Sequence, residues 1–164
     1  SAGQEVYSIA MDFELARKEN SKVPQMKMLA SDVSNLILKR AENGIYTQLE
    51  VQRGLPAKNL ITFFDKNESD QWLVKSFLKN NIEFKKINLL HDWGHIGPFD
   101  IVFCRNVLIY QNVENKKKVI EGILKKLNPN GFLVMGAAES LFGLSNDFEQ
   151  ISVSGSIIYK KKDV

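Results

Sequence analysis

Phe99-Asp100-Ile101-Val102-Phe103-Cys104-Arg105-Asn106-Val107-Leu108-Ile109-Tyr110 is the stretch that decides the fold. Its first half is a nearly continuous apolar run directly after Gly97-Pro98, a pattern that suits a strand buried on both faces of a parallel sheet. Arg105 follows at once. A guanidinium straight after an apolar run must lead out of the core or be paired. Charge, amide and phenol (Arg105, Asn106, Tyr110) therefore gather at a strand's carboxyl end, where open α/β sheets bind their ligands.

Outward from this stretch the pattern alternates. Val113 to Leu127 reads as an amphipathic helix with Val119, Ile120, Ile123, Leu124 and Leu127 inward. Asn128-Pro129-Asn130-Gly131 is a turn, and Phe132 to Met135 a further strand. Phe148 to Val153 and Ser156 to Tyr159 flank Ser154-Gly155, a two-residue hairpin signal. On the amino-terminal side, Val6, Ile9, Ala10 and Phe13 recur at helical spacing. Met26 to Asp32 reads as a strand, Leu36 to Ala41 as a helix stopped by Gly44, and Ile82 to Leu89 as an alternating strand. Thr47 to about Asn80 is the least regular part. The whole is predicted to be a doubly wound α/β sheet with an antiparallel edge hairpin.

Four strand ends or loops are candidate ligand positions. Gly3 to Glu5 opens the first helix, where N–H groups are free, although a lone glycine is more simply an ordinary turn. Asp32 reads equally as a ribose-diol acceptor or as the N-cap of the next helix. The amide of Asn88, followed by Leu89, matches an adenine edge, but a turn role is as natural. Arg105-Asn106 with Tyr110 is the fourth. Glu139 reads equally as a pocket-lining group or as a turn carboxylate.

Composition narrows the class. The 164 residues suit one domain, 44% hydrophobic and 25% charged. No apolar run approaches the ~20 residues of a membrane span. The single cysteine, Cys104, excludes an internal disulfide framework, and the chain reads as intracellular. A net charge of +3 is too small to imply nucleic acid. No phosphate-binding loop, full G-x-G-x-x-G or zinc-spaced cluster occurs, so no metal is expected, and His91 and His95 read as loop residues.

Taken together, the segments resemble the CheR-type chemotaxis receptor glutamate methyltransferases. The carrying residues are Ser1 to Met11, Ala30-Ser31-Asp32, Gly44-Ile45-Tyr46, Asn88-Leu89-Leu90, Phe99 to Tyr110, Asn128 to Gly131 and Glu139-Ser140. The resemblance implies a Rossmann-like class I methyltransferase sheet that binds S-adenosylmethionine and releases S-adenosylhomocysteine. It implies that Glu5, Asp32, Asn88, Leu89, Arg105 and Asn106 bind the cofactor. Asp32 would take the ribose and Asn88-Leu89 the adenine, with Arg105 and Tyr110 at the reacting centre. Its implied partners are the cytoplasmic domains of chemotaxis receptors, without nucleic acid or membrane insertion. Residues from about 56 to 83 resemble a small β-subdomain that docks some members on receptors.

Departures are Val6 for the usual proline and Gln111 for the usual aromatic. The resemblance also implies a helical N-terminal domain and a central first strand ahead of Ser1, so residues 1–164 alone are expected neither to be self-sufficient nor to methylate receptors. The rival readings are a different methyl acceptor (RNA, DNA or a small acid) and a silent cofactor- or receptor-binding module.

Overall fold

A computed structural model describes residues 2–163, so Ser1, which begins the quoted amino-terminal segment, and Val164 lie outside the described residues. The chain forms two compact units, the first ending at Ile87 and the second beginning at Asn88.

The first unit opens on α1 (Gln4–Glu19), which buries Tyr7, Ala10 and Met11, a face spaced three and four apart. β1 (Met28–Asp32) follows, then α2 (Asn35–Asn43). Ser34 caps α2, its Oγ accepting the Ile37 N–H at 3.4 Å, and Gly44 ends it at φ 64°. β2 (Ile45–Tyr46), α3 (Gln48–Val51), α4 (Ala57–Phe63), β3 (Phe64–Lys66), β4 (Trp72–Val74) and α5 (Ser76–Lys79) come next. The stretch that looked least regular is thus built from short pieces. Its three strands form an antiparallel sheet in the order β2-β4-β3. That sheet starts at Ile45, ahead of Pro56, and ends at Val74. Polar groups close its turns: Asn67 Oδ1 accepts the N–H groups of Ser69 and Gln71, at 3.0 and 2.9 Å. β5 (Ile82–Lys86) then runs parallel to β1, from Met28 opposite Ile82 to Asp32 opposite Lys86. Tyr7, Phe63, Val74 and Leu78 centre the core.

The second unit carries β6 (Phe99–Cys104), a 3-10 turn (Leu108–Tyr110), α6 (Val113–Lys126), β7 (Leu127–Met135), β8 (Phe148–Val153) and β9 (Ser156–Lys161). The strand order is β6-β7-β9-β8, with only β6 and β7 parallel. β7 starts earlier than Phe132. Its pairing jumps from Phe99–Leu127 to Ile101–Phe132, so Asn128 to Gly131 loop out, with Asn130 at φ 60°. Ser154 and Gly155 both have positive φ, as the tight hairpin turn between β8 and β9 requires. α6 is capped by Asn112, and Val119, Ile120 and Ile123 pack with Leu108, Leu133 and Tyr159. Lys161 Nζ donates to the carbonyls of Leu124 and Leu127, at 2.9 and 2.8 Å, tying β9 to the end of α6.

One expectation needs correction. β6 is not buried on both faces. Val102 and Cys104 join the core with α6, whereas Ile101 and Phe103, on the other face, are each 41% exposed. A strand needs a layer against each face to bury both, and α6 supplies only one in this unit. Among the described residues β6 pairs only with β7, and β1 only with β5.

Candidate functional site

Parallel strands end side by side, so their following loops leave together. Cys104 is opposite Met135 in the β6–β7 ladder. Arg105 and Asn106 follow one strand and Gly136 the other. A turn in which the Glu139 N–H donates to the Gly136 carbonyl at 2.9 Å swings the Glu139 side chain back toward the β6 loop. There five backbone N–H groups converge on it. Glu139 Oε2 accepts from Asn106 at 2.7 Å and Gly136 at 2.9 Å. Oε1 accepts from Val107 at 3.1 Å, Leu108 at 2.8 Å and Ile109 at 3.2 Å. Burial pushes this carboxyl group up, but the N–H groups of Asn106, Gly136, Leu108 and Ile109 outweigh it and hold the group below the usual range.

Two backbone features permit the wrap. Asn106 sits at φ 58°, a left-handed conformation that asparagine tolerates better than most residues. A Cβ on Gly136 would lie 2.7 Å from Glu139 Oε2 and 3.0 Å from the Asn106 nitrogen, so only glycine fits. On the resulting loop Arg105 and Asn106 are exposed, and Tyr110 is 81% exposed. Leu108 alone among residues 105–110 is buried.

Asn88 and Leu89 begin the second unit. Asn88 Oδ1 accepts the Leu90 N–H at 3.0 Å and its carbonyl the His91 N–H at 3.0 Å, a side-chain-closed turn. Leu89 is half-buried against the α6 core.

Glu5 and Asp32 belong to the first unit. Glu5 lies in the first turn of α1. Asp32 ends β1, and its Oδ1 accepts the Ser34 N–H at 2.8 Å. The alternative role foreseen for Asp32, N-cap of the next helix, falls to Ser34, two residues on.

Sequence reasoning missed two phenols here. Tyr46 Oη donates to the Ala2 carbonyl at 2.8 Å, and Tyr7 Oη to the Ala41 carbonyl at 2.7 Å. Together they fasten the start of α1 to α2 and β2. Gly3, at φ 97°, has no room for a Cβ, which would lie 2.9 Å from Tyr46 Oη. Burial pushes the Tyr7 phenol up to about 12, aided by Glu42, and raises Tyr46 as well, so both remain donors. The available signal was the phenol itself: a buried tyrosine needs a partner for its hydroxyl. For Glu139 the turn-carboxylate reading holds, since it closes the turn after Gly136, but its reach to the backbone of Asn106 to Ile109 was missed.

A family model described as CheR methyltransferase, SAM binding domain, matches residues 1–157. The chain belongs to that family. S-adenosylmethionine is therefore its cofactor. Among curated CheR-related proteins, a chemotaxis protein methyltransferase of Vibrio parahaemolyticus serotype O3:K6 is 40% identical over 99% of the chain. Chemotaxis protein methyltransferase 1 of Vibrio cholerae serotype O1 is 39% identical over 99% of it. The chain spans 59% of the length of each of these relatives. Among solved structures, the N-methyltransferase NodS from Bradyrhizobium japonicum WM9 matches 99% of the chain and 97% of its own, with TM-score 0.51 and 14% identity. That likeness shows the methyltransferase fold.

Proposed function

We propose that the full-length protein transfers a methyl group from S-adenosylmethionine to glutamate carboxylates on the cytoplasmic domains of chemotaxis receptors. The observation that carries this reading is the Arg105-Asn106-to-Tyr110 loop at the carboxyl end of β6, within a chain of the CheR family. The names of the curated relatives supply the chemotaxis setting. The reading puts the protein in the cytoplasm; among the described residues no helix is long and apolar enough to cross a membrane.

The chemistry of the donor set fits the cofactor. Asp32 ends a parallel strand, the place where a carboxylate accepts ribose hydroxyls. Its Oδ1 already serves the Ser34 N–H, which orients the group without using its second oxygen. Asn88 and Leu89 offer an amide beside an apolar side chain, as an adenine edge and face require. Glu5, Arg105 and Asn106 supply charge and amide for the amino-acid end.

When bound, S-adenosylmethionine supplies a methyl group already activated on a sulfonium. The acceptor carboxylate is ionised at neutral pH, its reference pKa being about 4.3. No general base is required of the protein. The work left to the side chains is alignment, with reacting atoms held roughly 3–3.5 Å apart. Arg105 steers the acceptor carboxylate or braces the cofactor. Tyr110 would set its hydroxyl beside the reacting atoms. The segment from about residue 56 to 83, which supplies β3 and β4 of the small β2-β4-β3 sheet, is the part we assign to receptor docking. Incubating the full-length protein with labelled cofactor and receptor tests the reading: base-labile label on receptor glutamates is expected, and label on nucleic acid or a small acid, or none, refutes it.

A further inference from the structure

We propose that Glu139 is a positioning residue for methyl transfer: its carboxylate gathers the backbone of Asn106 to Ile109 and so fixes where Arg105 and Tyr110 stand. The inference rests on the methyl-transfer reading above.

A loop can be fixed by burying its side chains or by bonding its backbone. Here the first route is nearly closed, since of residues 105–110 only Leu108 is buried. The second is fully used. Four consecutive N–H groups, from Asn106 to Ile109, donate to one carboxylate at 2.7–3.2 Å. A fifth, from Gly136, ties the same carboxylate to the end of β7. The loop after β6 is thereby referenced to the strand beside it through one side chain. Gly136 and the left-handed Asn106 belong to the same device, because a Cβ at Gly136 would collide with both Glu139 Oε2 and the Asn106 nitrogen. Glu139 itself offers no acceptor oxygen outward that is not already engaged, so its role is indirect.

Charge and shape make a sharp distinction between variants. Glutamine has the same outline but only one acceptor oxygen. Whichever way its amide turns, an NH2 group meets N–H donors, either those of Asn106 and Gly136 or those of Val107, Leu108 and Ile109. Aspartate keeps both oxygens but sets them one methylene back.

The test uses the full-length protein, with receptor as acceptor. We expect Glu139→Gln to lower kcat about 100-fold, the scale of a small misplacement of reacting groups. Affinity for S-adenosylhomocysteine by calorimetry should change less than about tenfold. The amide proton resonances of Asn106 to Ile109 should move upfield as their carboxylate bonds are lost, while those of β8 and β9 stay in place. Glu139→Asp should recover part of kcat. A Glu139→Gln enzyme with unchanged kcat, equal damage in both variants, or a rate loss matched by loss of folded protein overturns the proposal. Unmoved amide resonances overturn the anchor by themselves. A wild-type protein that labels no receptor overturns instead the reading on which the catalytic part rests.

Discussion

At the end of β1 an acidic side chain meets one backbone N–H; after β7 an acidic side chain meets five. Asp32 and Glu139 carry the same charge, one ending a parallel strand and the other following one. They differ in how much of their hydrogen-bonding capacity the chain consumes. A carboxylate accepts at about four lone-pair sites. Asp32 is oriented by a single bond and keeps capacity for a ligand, whereas Glu139 is saturated and can only act on its own loop. On the proposed reading one region grips and the other aligns, and the distinction lies in backbone geometry rather than residue type.

The largest effect should come from breaking the saturated region. Gly136→Ala forces a Cβ to within 2.7 Å of Glu139 Oε2. Overpacking of this kind costs about 1–3 kcal/mol, read as a lower denaturation midpoint. Displacing the loop should also lower kcat about 100-fold in the full-length enzyme. The gripping region should answer differently. Asp32→Ala, losing a charge-assisted bond worth roughly 1.5–3 kcal/mol, should weaken S-adenosylhomocysteine binding at least about tenfold by calorimetry. The fold should survive because Ser34 still caps α2. An unchanged affinity would erase the contrast.

Tyr110→Phe sharpens it from the aligning side. We expect kcat to fall about five- to tenfold with cofactor affinity nearly intact; the reverse pattern would move Tyr110 into the gripping set. The smallest effect concerns the start of α1, fastened by phenols instead of a carboxylate. Tyr7 has its pKa raised from 10.0 to about 12. The stability that this phenol contributes should therefore be whole below pH 10 and decline between pH 10 and about 12, where only the unfolded chain ionises it. Tyr7→Phe should cost about 0.5–1.5 kcal/mol at neutral pH and make that decline shallower in denaturant titrations. The Glu139 loop should fail on the opposite side. Its carboxyl group is held below 4.5, so its stabilisation is present above that pH and lost as acid protonates it.

The sequence was most readable where one segment carried its own pattern. The Phe99–Cys104 strand, the α6 face and the Ser154-Gly155 hairpin each announce themselves through periodicity or turn chemistry within a few residues. The errors arise where the decisive partner is distant or is backbone. Apolar content foretold a strand at Phe99 but not that only its Val102–Cys104 face would be covered, which depends on the neighbouring layers. Glu139 bonds to N–H groups about thirty positions away, and every residue has an N–H, so no residue type at the other end marks the contact. The Tyr46–Ala2 bond was hidden for the same reason, its acceptor being a carbonyl 44 positions distant. The β2-β4-β3 sheet was blurred because its strands have two or three residues, too few to display alternation.

The converging N–H groups after β6 have one more consequence. Several amides pointing into one hollow make a general carboxylate receptor. A protein whose acceptor is itself a carboxylate would, with that hollow vacant, hold a decoy beside its working centre, able to sequester unmodified side chains in a dead-end pose. Glu139 fills the hollow from within and is tethered there, at an effective concentration no incoming side chain can match. If the proposed reading holds, acidic side chains passing Arg105 and Tyr110 would thus meet no competing berth in the loop that carries them.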